Sequence, residues 1–265
     1  EIESMCMCPD CQELIKNNGA PVSPLLVMLN NIMNELEMLY PERDFHLCLS
    51  LRGKMRQPPS NIQVHNRILI VLSTDTCDVA HPLDDSASPM NACFLDNLKA
   101  WRTLTPNIFI QYYAGANYFC GLFPQPEWFH FQKNIQLFDR YQVRGIIVYT
   151  PSRKNPSFTE WNALKSYLLA RLIWDPDLII EEEINKFVNA YYGSAGSKFV
   201  EYLSYQQEFT KKKNIQCGIY QKVPWWNTDY SSYAEKIVEQ TINMTFYTQD
   251  IYNHVLQTAI QLLYP

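Results

Sequence analysis

The chain has 265 residues, enough for one large domain or two ordinary ones and ample for a buried core. A formal net charge of -5, with Lys and Arg scattered apart from Lys211-Lys212-Lys213, leaves no basic footprint for nucleic acid, and no apolar run is long enough to span a bilayer. The 17 Tyr and 6 Trp are many for so few charges, and in a cleft such rings make platforms for sugars.

Glu1 is not a methionine and no signal peptide precedes it, so the start reads as a cut from something longer. Ser23-Pro24 opens a helix through Tyr40, with Leu25, Leu26, Met28, Leu29, Ile32, Met33, Leu36 and Leu39 at helical spacing. Phe45 to Leu51 reads as a strand, and Ile68 to Leu72 as a strand buried on both faces. A helix over Met90–Leu104, a strand over Ile108–Tyr113, a helix over Phe129–Tyr141 and a strand over Ile146–Tyr149 follow. The helix Phe158–Trp174 ends the alternation. Asp175 is expected to cap a next helix with Pro176 at its first position, Glu181, Glu182 and Glu183 in its early turns, and Gly193 at its end. Beyond it come a helix over Lys198–Lys211, a turn at Pro224-Trp225-Trp226 and one long helix from Ser231 towards Leu263.

Apolar strands alternating with helices imply an α/β fold with a parallel sheet. Four such strands make half of an eight-stranded barrel, which needs ~250 residues when complete. The preferred architecture is the C-terminal half of a (β/α)8 TIM-type barrel over residues 1–175, followed by an α-helical region over 176–265. A small open doubly wound sheet is the rival.

In a barrel the active site lies at the C-terminal ends of the strands. The candidates there are Arg52, Asp75, Gln111, Tyr112, Tyr113 and Tyr149, with Glu1 and Glu3 ahead of the cysteines. Glycoside hydrolysis needs two carboxyl groups flanking the scissile bond. Asp75 is the best-placed carboxylate, with Asp78 close behind; Asp75 also suits a turn cap beside Thr74 and Thr76. Tyr112, Tyr113, Tyr118 and Trp128 could stack on a carbohydrate, and Asn117 could bind its hydroxyls; core packing explains any one ring alone.

Cys6, Cys8 and Cys11, in C-x-C-x-x-C spacing, suit a metal corner or part of a disulfide set. A structural zinc would take its fourth ligand from Cys77 or His81. A distant disulfide such as Cys8 with Cys77, and buried free thiols, are equal alternatives. No phosphate loop, dinucleotide fingerprint or metalloprotease motif is present.

The Cys6–Cys11 cluster, Cys77 with His81, Phe94 with Trp101, Ile108–Tyr113, Pro124-Gln125-Pro126, Val143-Arg144-Gly145 and Tyr167–Gly196 together resemble a bacterial family that carries a domain-of-unknown-function label. The resemblance covers roughly residues 1 to 205. That family stands beside the β-hexosaminidase and α-glucuronidase barrels. Its cysteine cluster follows the fourth barrel strand, which implies that the first half of the barrel is missing here as a partner of this one. The resemblance also implies a secreted, periplasmic or cell-surface setting. Many relatives carry an aspartate at Tyr112 and an acid or amide after the last strand, where this chain has Tyr149-Thr150. Three functions are therefore expected in competition. The first is hydrolysis of O-glycosidic bonds in polysaccharide-derived glycans with no catalytic cofactor. The second is carbohydrate binding without catalysis on the same scaffold, and the third a metal-stapled interaction domain.

Overall fold

The structure is a computed structural model describing residues 6–114, 127–149, 161–219, 228–245 and 247–263. It has two compact units: Glu1–Thr76, Ala92–Tyr112 and Phe138–Val148 form the first, and Cys77–Asn91, Tyr113–Leu137 and Tyr149–Pro265 the second.

The first unit holds α1 (Pro9–Asn18), α2 (Ser23–Leu39) and a parallel sheet. Its strands are β1 (Leu47–Leu51), β2 (Ile68–Ser73), β3 (Ile108–Tyr113) and β4 (Gly145–Tyr149), in the spatial order β1-β2-β3-β4. Helices α3 (Pro89–Leu104) and α4 (Phe131–Arg140) connect β2 to β3 and β3 to β4. The expected α/β alternation is therefore present, with strands and helices in sequence order.

Register assigns the faces. Leu49, Ile70 and Ile108 align across the sheet, as do Leu51, Leu72 and Ile110, and these six side chains are buried. On the opposite face Ser50 aligns with Val71 and Phe109, and Cys48 with Leu69. That face is closed at Val71 and Ser73 but exposed at Cys48, Ser50 and Ile147. Thus β2 is buried on nearly both sides, whereas β1 is buried on one. Gly145 is required at its position, because a Cβ there would fall 2.4 Å from the Phe109 ring.

The second unit is mainly helical: α5 (Asn162–Trp174), α6 (Ile180–Tyr192), α7 (Gly196–Lys213), α8 (Thr228–Thr245) and α9 (Gln249–Leu263). Trp161 sits at the centre of its core, with Phe199, Tyr192 and Tyr202 rings around it at 5.0, 5.8 and 6.1 Å. The Tyr192 hydroxyl reaches Thr258 and that of Tyr202 reaches Tyr230, each at 2.9 Å, so these buried rings keep partners for their polar ends.

Two expectations need correction. Asp175 does not cap α6; it ends α5, and its Oδ1 accepts the Asp177 N–H at 3.2 Å in a local turn that delays the next helix to Ile180. The three glutamates then occupy the first turn of α6, where their negative charge complements the positive end of the helix dipole. The long final helix is two helices, α8 and α9, which pack on each other. A single helix of about 33 residues would run ~50 Å and leave its apolar faces apart. Gly193 does close α6, at φ 53°, and any side chain there would strike Ile251. The Pro224-Trp225-Trp226 turn lies outside the described residues.

Candidate functional site

Three polar constellations stand out. The first lies at the strand ends of the α/β unit. The Ser50 hydroxyl and the Arg52 guanidinium both donate to Gln111 Oε1, each at 3.4 Å. Alternation along β1 and β3 puts these three residues on the partly open face of the sheet. Asp75 follows two residues after β2; its N–H bonds the Ser73 hydroxyl at 3.2 Å, and Ser73 pairs in register with Gln111. Asp75 is 7% exposed, and its Oδ1 has no hydrogen-bond partner among the described residues. A carboxylate oxygen held out of water without a donor is costly, which marks a place where a ligand hydroxyl or cation is favoured.

The turn carrying Asp75 is fastened by a buried arginine. Arg56 donates to Ser73 O at 2.6 Å and to Thr76 Oγ1 at 2.5 Å, and its guanidinium lies 5.4 Å from the centre of the Phe94 ring. Its own carbonyl accepts the Trp101 indole N–H at 2.7 Å. Phe94 and Trp101, both fully buried, are thus the packing that holds the strand-end turn in place.

The second constellation lies in the helical unit. Asp78 is 1% exposed, yet its carboxylate is saturated. Oδ1 accepts the N–H groups of Ala80 at 2.9 Å and Cys217 at 2.8 Å, and Oδ2 lies 2.6 Å from His81 Nδ1. Asn91 completes the turn: it accepts the Asp78 N–H and donates to the carbonyls of Asp78, His81 and Pro82. A carboxylate on Nδ1 holds the His81 ring in one orientation, the arrangement used to orient a histidine base or ligand. The sequence reading missed this dyad, placing Asp78 only behind Asp75 and His81 only with the cysteines. The i, i+3 spacing of Asp78 and His81 was the available signal.

Nearby in the same unit, His130 Nε2 lies 2.9 Å from Ala80 O, and burial pushes its pKa down to about 4. Burial likewise pushes the Cys217 thiol up to about 12, so it is an unreactive core thiol. Glu127 and Lys165 form a buried ion pair at 3.4 Å, with the lysine ammonium 5.0 Å from the centre of the Trp128 ring.

The predicted aromatic platform is placed differently. Tyr112 shares the helix-covered face with Ile110 and packs edge-on to Phe138 of α4 at 5.5 Å, because alternation turns it away from Gln111. Tyr113 is 2% exposed and lies 4.6 Å from the Tyr149 ring in a cluster with Ile219 and Val79. Trp128 is fully buried; Phe131 and Trp161 meet it edge-on, and its indole N–H donates to Gln206 at 2.8 Å. These three rings serve packing, and Tyr149 is half-buried against one of them. Asn117, Tyr118, Glu1 and Glu3 lie outside the described residues.

The third constellation is the cysteine cluster. The sulfurs of Cys6, Cys8 and Cys11 all lie within 4.8 Å of one another. Cys6 and Cys8 are exposed and all three thiols are free. The Cys11 backbone N–H in the first turn of α1 holds the Cys8 thiol below its ordinary pKa, and the neighbouring Cys8 pushes that of Cys11 up to about 12. Cys77 and His81 belong to the helical unit, where Cys77 is buried and His81 faces Asp78.

The model of the DUF4838 family, a domain of unknown function, matches residues 1–204. The chain belongs to this family. The DUF4838 match contains Cys6, Cys8, Cys11, Arg52, Asp75, Asp78, His81 and Gln111 and ends inside α7, so Cys217, α8 and α9 lie beyond it. No curated protein and no solved structure matches the chain significantly. No helix among the described residues is long and apolar enough to cross a membrane.

Proposed function

We propose that this chain handles polysaccharide-derived glycans as half of a glycoside-hydrolase-like (β/α)8 barrel, with Asp75, Arg52 and Gln111 contacting the sugar. The observation that carries the reading is Asp75, a buried carboxylate with an oxygen unpartnered among the described residues, two positions beyond Ser73, which pairs with Gln111 of the Gln111–Arg52–Ser50 network. Sugar hydroxyls are donors and acceptors at once, and a carboxylate, an amide and a guanidinium are the groups that sort them. The exposure of Cys48, Ser50 and Ile147 supports the barrel half, since that face is where four further strands would pack. A setting outside the cytoplasm goes with such a substrate.

In the hydrolytic reading Asp75 is one member of the carboxyl pair, and the reaction passes through an oxocarbenium-like transition state. The second carboxyl group would come from near Glu1 or Glu3, or from the other barrel half. Binding without hydrolysis is the second reading. It is favoured because Asp75 is the one carboxylate among the described residues at the ends of these strands. Tyr112 carries no weight either way, because it faces the helices.

The test uses the longest natural protein containing this chain, screened on aryl glycosides and oligosaccharides. Hydrolysis that falls by about 10²–10⁴ in D75N is the expected result. Saturable sugar binding without turnover, lost in D75N, selects the second reading. Neither turnover nor binding, or turnover indifferent to D75N, overturns the proposal. The barrel half is tested separately by thiol labelling: Cys48 should react quickly in this chain alone and slowly in the longer protein.

A further inference from the structure

We propose that Cys6, Cys8 and Cys11 form a three-thiolate site for Zn(II). The backbone builds the cluster. Pro9 starts α1, so Cys8 precedes the helix and Cys11 lies in its first turn, which puts both sulfurs on one side of the helix entrance. Gln12 Nε2 then donates to Cys6 O at 2.9 Å, folding the preceding segment back and delivering the third sulfur. The three sulfurs lie within 4.8 Å of one another. A Zn–S bond of ≈ 2.3 Å places tetrahedral sulfurs ~3.8 Å apart, so closure needs movements of about 1 Å at most.

Exposure together with grouping separates this cluster: Cys48 and Cys93 are exposed as well, but among the described residues only Cys6, Cys8 and Cys11 bring their sulfurs together. Cys77 and Cys217 are buried, as core thiols usually are, whereas Cys6 and Cys8 are exposed and Cys11 is half-buried. Packing therefore does not explain three thiols gathered at a surface. A Cys8–Cys11 disulfide would use two sulfurs and leave the third without a role; a soft divalent ion uses all three. Metal entry is not a redox step: Zn(II) replaces the thiol protons, which pass to solvent, and water completes the tetrahedron. Among the described residues the group supplies three sulfur ligands, and the fourth position of the tetrahedron is taken by water or another donor.

The whole chain, purified under reducing conditions without added metal, is assayed for zinc and then titrated with Co(II), whose thiolate charge-transfer absorption reports sulfur ligation. The expected result is one metal per chain and a Co(II) band displaced by Zn(II). C8S and C11S should lose the band, and C6S should weaken binding by about tenfold or more. C93S, which removes an exposed cysteine on α3, should behave as the parent. Circular dichroism of each variant separates loss of metal from loss of fold. Zinc far below one equivalent that micromolar additions do not raise, a band that persists in C8S/C11S, or a Cys8–Cys11 disulfide that reductant and zinc do not convert would overturn the proposal.

Discussion

Asp75 of the α/β unit and Glu183 of the helical unit are both buried carboxylates, but they are held in opposite ways. Glu183, 1% exposed, receives the Tyr167 hydroxyl at 2.6 Å, Lys186 Nζ at 2.7 Å and Arg171 Nε at 3.1 Å. Lys186, then Tyr167, hold its pKa down to about 2. Asp75, 7% exposed, has one carboxylate oxygen with no hydrogen-bond partner among the described residues. A carboxylate with all its partners in the chain stabilises the fold and has nothing left for a ligand. One with an unpaired oxygen is a liability to the fold and an opportunity for binding. Asp78 belongs with Glu183 in this respect: its oxygens are taken by Ala80, Cys217 and His81, so its own role is to position His81.

Substitutions can break that contrast. Replacing Asp78 by Ala leaves the buried N–H groups of Ala80 and Cys217 without acceptors and should cost about 3–5 kcal/mol, read by denaturant unfolding. A loss under 1 kcal/mol would mean the turn reorganises freely.

Acid should act next. His130 resists protonation to about 4 when folded, against 6.5 in the open chain. The unfolded state therefore takes up the proton first, and stability falls as pH drops from 6.5 towards 4, by about 3 kcal/mol. H130Q should remove that phase. Glu183 works in a lower window: its contribution is complete above its ordinary 4.5 and is lost as pH falls through about 2.

E183Q should cost about 1–3 kcal/mol, because Arg171 and Lys186 are themselves half-exposed and partly screened. D75N should change stability by no more than about 1 kcal/mol, and in either direction, since no bond to the buried oxygen is lost. If D75N instead unfolds the chain, Asp75 has a structural partner and the contrast fails.

The strand–helix alternation was legible because β2 and β3 are short apolar runs bounded by turns; β3 has the expected ends, and β2 runs one residue further, to Ser73. Helix starts were less legible. Asp175-Pro176 has the composition of a helix entrance, but the Asp175 side chain spends its oxygen on Asp177. Local pattern cannot tell a capping aspartate from a turn aspartate. The α8–α9 break escaped for a related reason: both halves are amphipathic, and antiparallel packing between them decides where the chain turns. At the site, strand ends pointed to Arg52, Asp75 and Gln111, of which Arg52 and Gln111 meet directly. Strand twofold alternation assigns the Tyr112 ring to the helices, opposite Gln111. Trp128 needed the tertiary core to be placed, since its neighbours Trp161 and Gln206 are remote in sequence.

The central claim is that the orphaned oxygen of Asp75 is a sugar contact. Isothermal titration of the longest natural protein with its best-binding oligosaccharide, run in parallel on D75N and E183Q at matched folded fraction, tests it most directly. The account predicts that D75N abolishes binding while E183Q binds as the parent does. Equal binding by D75N and the parent would contradict it.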